Sequence, residues 1–322
     1  MHQIDLPYME VKEKIENAKA ITILSHLNPD VDALGTALGI YALLHNNTQA
    51  KTEVVNASRD LPKNLDFLPN FKKIKHQMDY TDSLIIACDC GSIDRLGFDL
   101  THRDIINIDH HESNTEYGSI NVVLPQCASS SQVAFKLFKN FVTINTEAAT
   151  CFYAALLSDT RYFTTSSVNK EVFSIAQSLI ESGANPSNIA YHITQKRALS
   201  SLRILEKALA SLSLHNDAKI ATLKVSQADI IATGATISDM DGVVDYAKSL
   251  VTVEIAVFAI ELEDGIRISI RSKGRDISKV AIAFGGGGHK VAAGFTLRQC
   301  ELQESIDTIL LKIKELGLLN GK

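Results

Sequence analysis

The chain has 322 residues and a formal charge of −5, from 32 Lys and Arg against 37 Asp and Glu. That length exceeds what one core usually fills and predicts two domains, while 45% hydrophobic and 21% charged residues are ordinary for a soluble globular protein. The negative charge excludes an extended non-specific grip on long or duplex nucleic acid, which needs a basic face, but allows a short anion in a local basic pocket.

The N-terminal segment MHQIDLPYMEVKEKIENA is amphipathic and charged and has no apolar h-region, so no secretory signal is read. Residues 21–25, 51–56, 84–88 and 105–108 are short and rich in Ile and Val, as buried parallel strands are. Residues 33–45, 131–141, 147–158 and 170–182 carry apolar residues at helical spacing. This alternation predicts an α/β fold, with a doubly wound, mainly parallel sheet in the N-terminal half. RALSSLRILEKALASLSLH, after Lys196, reads as a helical connector.

A smaller α/β domain is expected from about residue 216. Its strands are 219–225, 253–261 and 267–271, the last two joined by the turn LEDG. A helix over 277–284, a run of four glycines and a final helix over 303–316 complete it. The stretch LVTVEIAVFAIELEDG is interrupted by Glu254 and too short to span a bilayer, so no membrane partner is expected. The five cysteines, Cys88, Cys90, Cys127, Cys151 and Cys300, are odd in number and scattered; small buried thiols in a reducing cytoplasm are the expectation.

Four polar clusters interrupt these apolar elements. SHLNPDVD places His26, Asp30 and Asp32 after the first strand; LIIACDC ends near Asp89; IINIDHH ends at Asp109, His110 and His111; AALLSDT reaches Asp159. Alone, each has a plain structural reading, an aspartate as a helix N-cap or a histidine as a hydrogen-bonded core residue. In an open α/β sheet the carboxyl ends of the strands share one crevice, so His26, Asp30, Asp32, Asp89 and His110 should converge there. Carboxylates crowded there repel and are costly to bury unpaired, and Arg95 and Arg161 are the nearest cations. Divalent metal answers that charge with a mixed O/N ligand set, Mn²⁺ first, Mg²⁺ or Zn²⁺ next. Two ions sharing a carboxylate would use all the candidates, holding a bridging hydroxide and clamping an in-line phosphoryl displacement. His26 and Asp30 would face one ion and Asp32 the other. Asp109, just inside its strand end, is expected to orient a liganding histidine rather than bind metal.

In FGGGGHKVAAG the glycines would let backbone N–H groups approach an anion as a nest, with His289 and Arg271 as side-chain donors. A tight turn is the plainer reading of such a run.

HLNPDVDALG, ACDCGSIDRLG, IDHHESN and LLSDTRYF resemble, in order, the four motifs of the DHH phosphoesterases, and SIRSKGRDISKVAIAFGGGGHKVAAGF resembles their DHHA1 domain. The NrnA-like subgroup, nano-RNases and 3′-phosphoadenosine-5′-phosphate (pAp) phosphatases with related hydrolases of linear dinucleotides, fits best. The resemblance implies a DHH catalytic domain over 1–195, a helical connector over 196–215 and a DHHA1 substrate-binding domain over 216–322. It also implies two Mn²⁺ ions, one on His26, Asp30 and Asp89, the other on Asp32, Asp89, His110 and Asp159. His111 would serve the scissile phosphate or the leaving group. Arg271, Ser272, Gly286, Gly287, Gly288 and His289 would bind substrate. The serines 129–131 match a family segment without an assigned role.

Arg161 stands where many members carry glycine, which leaves its own role open between a phosphate contact and a solvated side chain. The implied activity is hydrolysis of very short oligonucleotides, of pApA or pGpG, or of pAp. An inorganic pyrophosphatase and a nucleotide-binding module without catalysis are the alternatives. A second copy of the chain is an open partner.

Overall fold

The computed structural model describes residues 6–45 and 47–319. Residues 1–5 of the N-terminal amphipathic segment, and 320–322 of the expected second domain, lie outside the described residues. The chain divides into two compact units between Lys196 and Arg197.

The first unit runs α1 (Tyr8–Asn17), β1 (Ala20–Ser25), α2 (Val31–Leu44), β2 (Lys51–Val55), β3 (Leu84–Cys88), β4 (Ile105–Asp109), β5 (Ile120–Val123), α3 (Ser130–Phe138), α4 (Thr146–Asp159), α5 (Lys170–Glu181) and α6 (Pro186–Ala190). Its five strands are all parallel, in the order β2-β1-β3-β4-β5. β3 and β4 are buried at every residue, which is why they read as unbroken apolar runs rather than alternating ones. The order reverses between β1 and β3. At such a switch point the loops leave in opposite directions and open a crevice at the strands' carboxyl ends.

α2 is buried at every residue but Val31, so it has no polar stripe to mark a surface helix. It packs on α4 through Gly35 and Gly39. A Cβ at Gly35 would stand 2.7 Å from the Cys151 carbonyl oxygen, and one at Gly39 would stand 2.3 Å from the Phe152 ring. The absent side chains let the two helices approach closely. That approach brings the N-terminal turn of α2 and the C-terminal turn of α4, which carry acidic residues, toward the same end of the sheet.

The second unit runs α7 (Leu199–Ala210), β6 (Ser213–His215), β7 (Ile220–Val225), α8 (Gln227–Thr233), α9 (Val243–Ser249), β8 (Ile255–Leu262), β9 (Gly265–Ser272), α10 (Ser278–Ala283), β10 (Gly287–His289), β11 (Ala292–Leu297) and α11 (Leu302–Glu315). Residues 197–215, read from the sequence as a connector, thus supply α7 and β6 to this unit. Ile204 and Ala208 of α7 lie in its core with Leu223 and Phe258. The sheet order is β10-β11-β9-β8-β7-β6, antiparallel except between β7 and β8. β9, GIRISIRS, alternates strictly: Ile266, Ile268 and Ile270 pack with Ile309 and Ile313 of α11, and the intervening residues face the other side.

The first two amides of the glycine run are not free to form the nest expected from the sequence. Phe284 ends α10, and Gly285 takes φ +76°, with its N–H on the Ile282 carbonyl and that of Gly286 on the Ala281 carbonyl. This is a glycine C-cap of Schellman type. Gly287–His289 is then a strand. A Cβ at Gly286 would meet the Gly294 carbonyl oxygen at 2.3 Å, and one at Gly288 the Ala292 carbonyl oxygen at 2.5 Å. The backbone of β11, rather than a ligand, excludes side chains at these two positions. At Gly287 a Cβ would meet nothing within 4 Å. Among the described residues no helix is long and apolar enough to cross a membrane.

Candidate active site

β1 delivers His26, and the chain then turns through Asn28 at φ +54° into α2. Asp30 is the N-cap of α2 and accepts from the Ala33 N–H at 3.0 Å, so the capping reading holds for this aspartate. Its side chain still reaches one cluster with His26 and Asp89. Asp32, in the first helical turn, is 2% exposed. Asp89 follows β3 in the left-handed region, at φ +54°, a conformation that costs a non-glycine residue energy and is retained at functional sites. Asp109 closes β4 and is completely buried; His110 and His111 follow it.

Ligand atoms of His26, Asp30 and Asp89 lie within 4.8 Å of one another, and so do those of Asp32, Asp89 and His110. Asp89 belongs to both groups. Asp159, at the C-terminal end of α4, joins the second, with its Oδ2 3.5 Å from His110 Nε2. The elements thus gather five of the six metal-ligand candidates into two triads with a common carboxylate, and place the sixth beside them.

The imidazoles are aimed by backbone carbonyls. His26 Nδ1 lies 2.8 Å from the Leu27 oxygen, and His110 Nδ1 lies 3.3 Å from the Cys127 oxygen. A ring that donates from Nδ1 presents the Nε2 lone pair to the site. Those Nε2 atoms face carboxylate oxygens at 3.5–3.8 Å, His26 toward Asp89 and His110 toward Asp32, Asp89 and Asp159. Each of these gaps calls for either a proton on Nε2 or a cation between the two atoms.

The charge count agrees. Five carboxylates (Asp30, Asp32, Asp89, Asp109 and Asp159) exceed three imidazoles even with every ring protonated. Burial, and then the charges of Asp89, Asp159 and Asp30, hold Asp32 well above the usual carboxylate range, against a hydrogen bond from the Ser130 N–H. Burial with Asp30 and Asp89 also raises Asp159, to about 7, while His110 opposes the rise. Burial opposes ionisation of Asp89, but its contact with His26 and the charges of the three imidazoles outweigh it and hold the group below its ordinary value. This donor set fits hard or borderline divalent cations.

Asp109 does not belong to the two triads. Its Oδ1 accepts from His111 Nδ1 at 2.7 Å and from the His110 N–H at 2.7 Å, and its other oxygen accepts from Asn114. Burial works against a charged His111, but the Asp109 contact and the charges of Asp89, Asp109 and Asp159 prevail and raise it to about 9. With Nδ1 on Asp109, the second proton of the imidazolium sits on Nε2.

The serines after Cys127 gain a role. Ser129 caps α3. The Ser130 N–H reaches Asp32 Oδ2 at 2.7 Å, the Ser131 N–H reaches Asp32 Oδ1 at 3.2 Å, and the Ser130 hydroxyl reaches Asp89 Oδ1 at 2.8 Å. The N-terminus of α3 is thus a set of donors that orients two acidic side chains. Arg95 also lies at the site, with Nη2 3.3 Å from His26 Nδ1. Arg161 begins three consecutive residues in the left-handed region, at φ +45°, +61° and +63°.

In the second unit, Arg271 pairs laterally with Ala292, which pairs with His289. Ser272 is buried and donates its hydroxyl to the Arg275 carbonyl, so it shapes the strand end. The remaining candidates, Gly286, Gly287 and Gly288, have the positions already given.

The chain matches the DHH family, N-terminal domain, over residues 20–156 and the DHHA1 domain over residues 217–316. It is 28% identical over 310 residues to the bifunctional oligoribonuclease and PAP phosphatase NrnA of Thermus thermophilus, covering 95% of this chain and 92% of that one. It is 24% identical to the protein of the same description from Bacillus subtilis, covering 86% and 89%. Among solved structures, an exopolyphosphatase-related protein from Bacteroides fragilis superposes with a TM-score of 0.86 at 25% identity, covering 96% of each chain. With a DHH domain leading into a DHHA1 domain along most of its length, this chain belongs to the DHH family of phosphoesterases.

Proposed function

We propose that the chain is a Mn²⁺-dependent hydrolase of very short oligonucleotides, linear dinucleotides such as pApA and pGpG, and 3′-phosphoadenosine 5′-phosphate. The observation that carries this reading is the pair of triads sharing Asp89. The likeness to proteins described as bifunctional oligoribonucleases and PAP phosphatases supports the choice of substrate. His26, Asp30 and Asp89 would hold one ion, and Asp32, Asp89, His110 and Asp159 the other. Bound there, the ions supply Lewis acidity to the phosphoryl group and lower the pKa of water.

The chain's own groups do the rest. Asp89 accepts from Ser130 and keeps its remaining oxygen toward His26. Asp109 fixes His111 through Nδ1, so the imidazolium offers its Nε2 proton to the scissile phosphate or to the departing oxygen. Arg271, Ser272, Gly286, Gly287, Gly288 and His289 form the substrate-binding set of the second unit, with Arg271 suited to a phosphate. In this division of labour residues 1–195 cut, 216–322 hold the substrate and 196–215 join them in the chain.

Product analysis of Mn²⁺-loaded protein tests the reading, with pApA, pGpG, RNA two- to five-mers, a 24-mer, pAp and pyrophosphate as substrates. Turnover of the short nucleotides with the 24-mer untouched is expected. Release of phosphate from pyrophosphate alone would replace the reading with a pyrophosphatase. Binding without turnover under every divalent ion would replace it with a nucleotide-binding module. Asp89→Ala is expected to abolish turnover with an unchanged circular dichroism spectrum, and retained turnover would remove Asp89 from the shared position.

A further inference from the structure

Asn107 sits in the middle of β4, where an apolar residue would serve the sheet as well. It is completely buried, on the face of the strand that also carries Ile105 and Asp109. A buried amide costs free energy unless its hydrogen-bonding groups are met. Asn121 of β5 lies directly beside it, and Asn107 Nδ2 donates to Asn121 Oδ1 at 3.0 Å. One backbone residue holds both ends of the Asn121 amide. Its Oδ1 accepts from the Gly118 N–H at 2.9 Å, and its Nδ2 donates to the Gly118 carbonyl at 2.8 Å. Gly118 must come close to do so: a Cβ there would stand 3.0 Å from Asn107 Cβ and 2.7 Å from the Ile120 carbonyl oxygen.

Asn107 passes this order on. Its Nδ2 also donates to Asn114 Oδ1 at 2.9 Å, and the Glu116 N–H donates to the same oxygen at 2.7 Å. Asn114 Nδ2 then faces two acceptors, the Cys90 carbonyl at 3.1 Å and Asp109 Oδ2 at 2.5 Å. Both lone pairs and both N–H groups of the Asn114 amide are thus used. Backbone groups at each end fix which way round it sits. Reversed, its oxygen would meet the Cys90 carbonyl and the Asp109 carboxylate, and its N–H groups would meet the Glu116 N–H. The loop backbone has ties of its own, the Asn114 N–H on the His111 carbonyl and the Thr115 N–H on the Gly91 carbonyl. What the side chain adds is a grip on Asp109 Oδ2, while Oδ1 receives His111 Nδ1.

We propose that Asn114 is a positioning residue for His111: its amide, turned by Asn107, Glu116 and Cys90, fixes the Asp109 carboxylate, which in turn aims the imidazole. The inference rests on the reading above, in which His111 serves the reacting phosphate, and adds to it the asparagines that stand behind that role. Asn114 touches neither substrate nor either triad. Its effect therefore belongs to the rate of the chemical step rather than to substrate or metal binding.

Steady-state kinetics of the full, Mn²⁺-loaded chain on pApA test this, with Asn114→Ala and Asn114→Asp. The second variant keeps the shape and the acceptor oxygen and removes only the N–H groups. Both are expected to lower kcat by about 10- to 100-fold, the usual range for a residue that orients a site group, with KM within about twofold of wild type. Mn²⁺ affinity, read by isothermal titration, should also stay within about twofold, because Asp109 lies outside the triads. In a His111→Ala background, adding Asn114→Ala should change kcat by less than about twofold, since residues that act as one unit are not additive. A further loss as large as in the wild-type background would show that Asn114 acts apart from His111 and overturn the proposal. Weaker Mn²⁺ binding and a higher KM, together with a lowered melting temperature, would assign Asn114 to fold maintenance and overturn it too. An unchanged kcat in both Asn114 variants would overturn it while the wild-type activity, and the reading built on the triads, stood. A wild-type protein that leaves pApA intact, or a His111→Ala variant as fast as wild type, would bring down the reading beneath it as well.

Discussion

Two conformationally costly residues bracket the candidate site, and one of them offers a clean separation of stability from function. Asp89 and Arg161 both hold φ near +50°. For Asp89 the cost is repaid by membership in both triads. For Arg161, in the turn after Asp159, glycine would adopt the same backbone without steric penalty. Arg161→Gly relieves that backbone cost but gives up whatever the side chain contributes and adds unfolded-state entropy. The urea midpoint at constant m-value reads which is larger, and a higher midpoint is the outcome if the backbone cost dominates. A lower midpoint would mean that the Arg161 side chain holds the turn in place. Ser130 gives a second test. Its hydroxyl aims Asp89 and its N–H aims Asp32, so Ser130→Ala is expected to weaken Mn²⁺ affinity by about 10- to 100-fold. Isothermal titration of the metal-stripped protein measures this directly, and an unchanged affinity would limit the serine to capping. His26, Asp30, Asp32, Asp89, His110 and Asp159 were legible as ligand candidates because carboxylates and imidazoles at strand ends lack an apolar excuse. Ser130 was not, since a serine before a helix reads as a cap whether or not its neighbours bind anything.

At the scale of elements, the contact between α2 and α4 decides whether acids from two helices meet. Gly39 faces the Phe152 ring and Gly35 the Cys151 carbonyl, so any added carbon must push the helices apart. Gly39→Ala is expected to destabilise the first unit by about 1–3 kcal/mol despite the better helix propensity of alanine. It should also lower Mn²⁺ affinity, because Asp32 and Asp159 ride on the separated helices. Stability gained on this substitution, measured by urea unfolding, would mean that the ring simply rotates away. The periodicity of these helices was readable, and the tight approach was not: a glycine within an apolar helix gives no sign of which neighbour it admits. The short strands β10 and β11 escaped the sequence reading for a related reason. AAGFTL and GGH have little intrinsic strand preference and are strands because β9 offers them a ladder.

For the whole molecule, excess negative charge links metal to stability. The site carries five carboxylates against three imidazoles, so ions bound to the native state stabilise it by mass action, about 2.7 kcal/mol at a hundredfold excess over Kd. Mn²⁺ is expected to raise the melting temperature of stripped protein in a concentration-dependent way, and Asp89→Ala to abolish that rise. A melting temperature indifferent to every divalent cation would sink the metal reading. The sequence by itself determined the alternation of elements, the two-part organisation and the list of chemically expensive residues, because burial pattern and polar side chains at strand ends are local properties. Only the tertiary structure decided that Asp30 caps α2 and still joins a triad, that α3 supplies donors to two aspartates, and that the glycine run begins as a helix cap and leads into a strand. Those depend on distances between segments far apart in the chain, which strand order and helix packing set and no local pattern encodes.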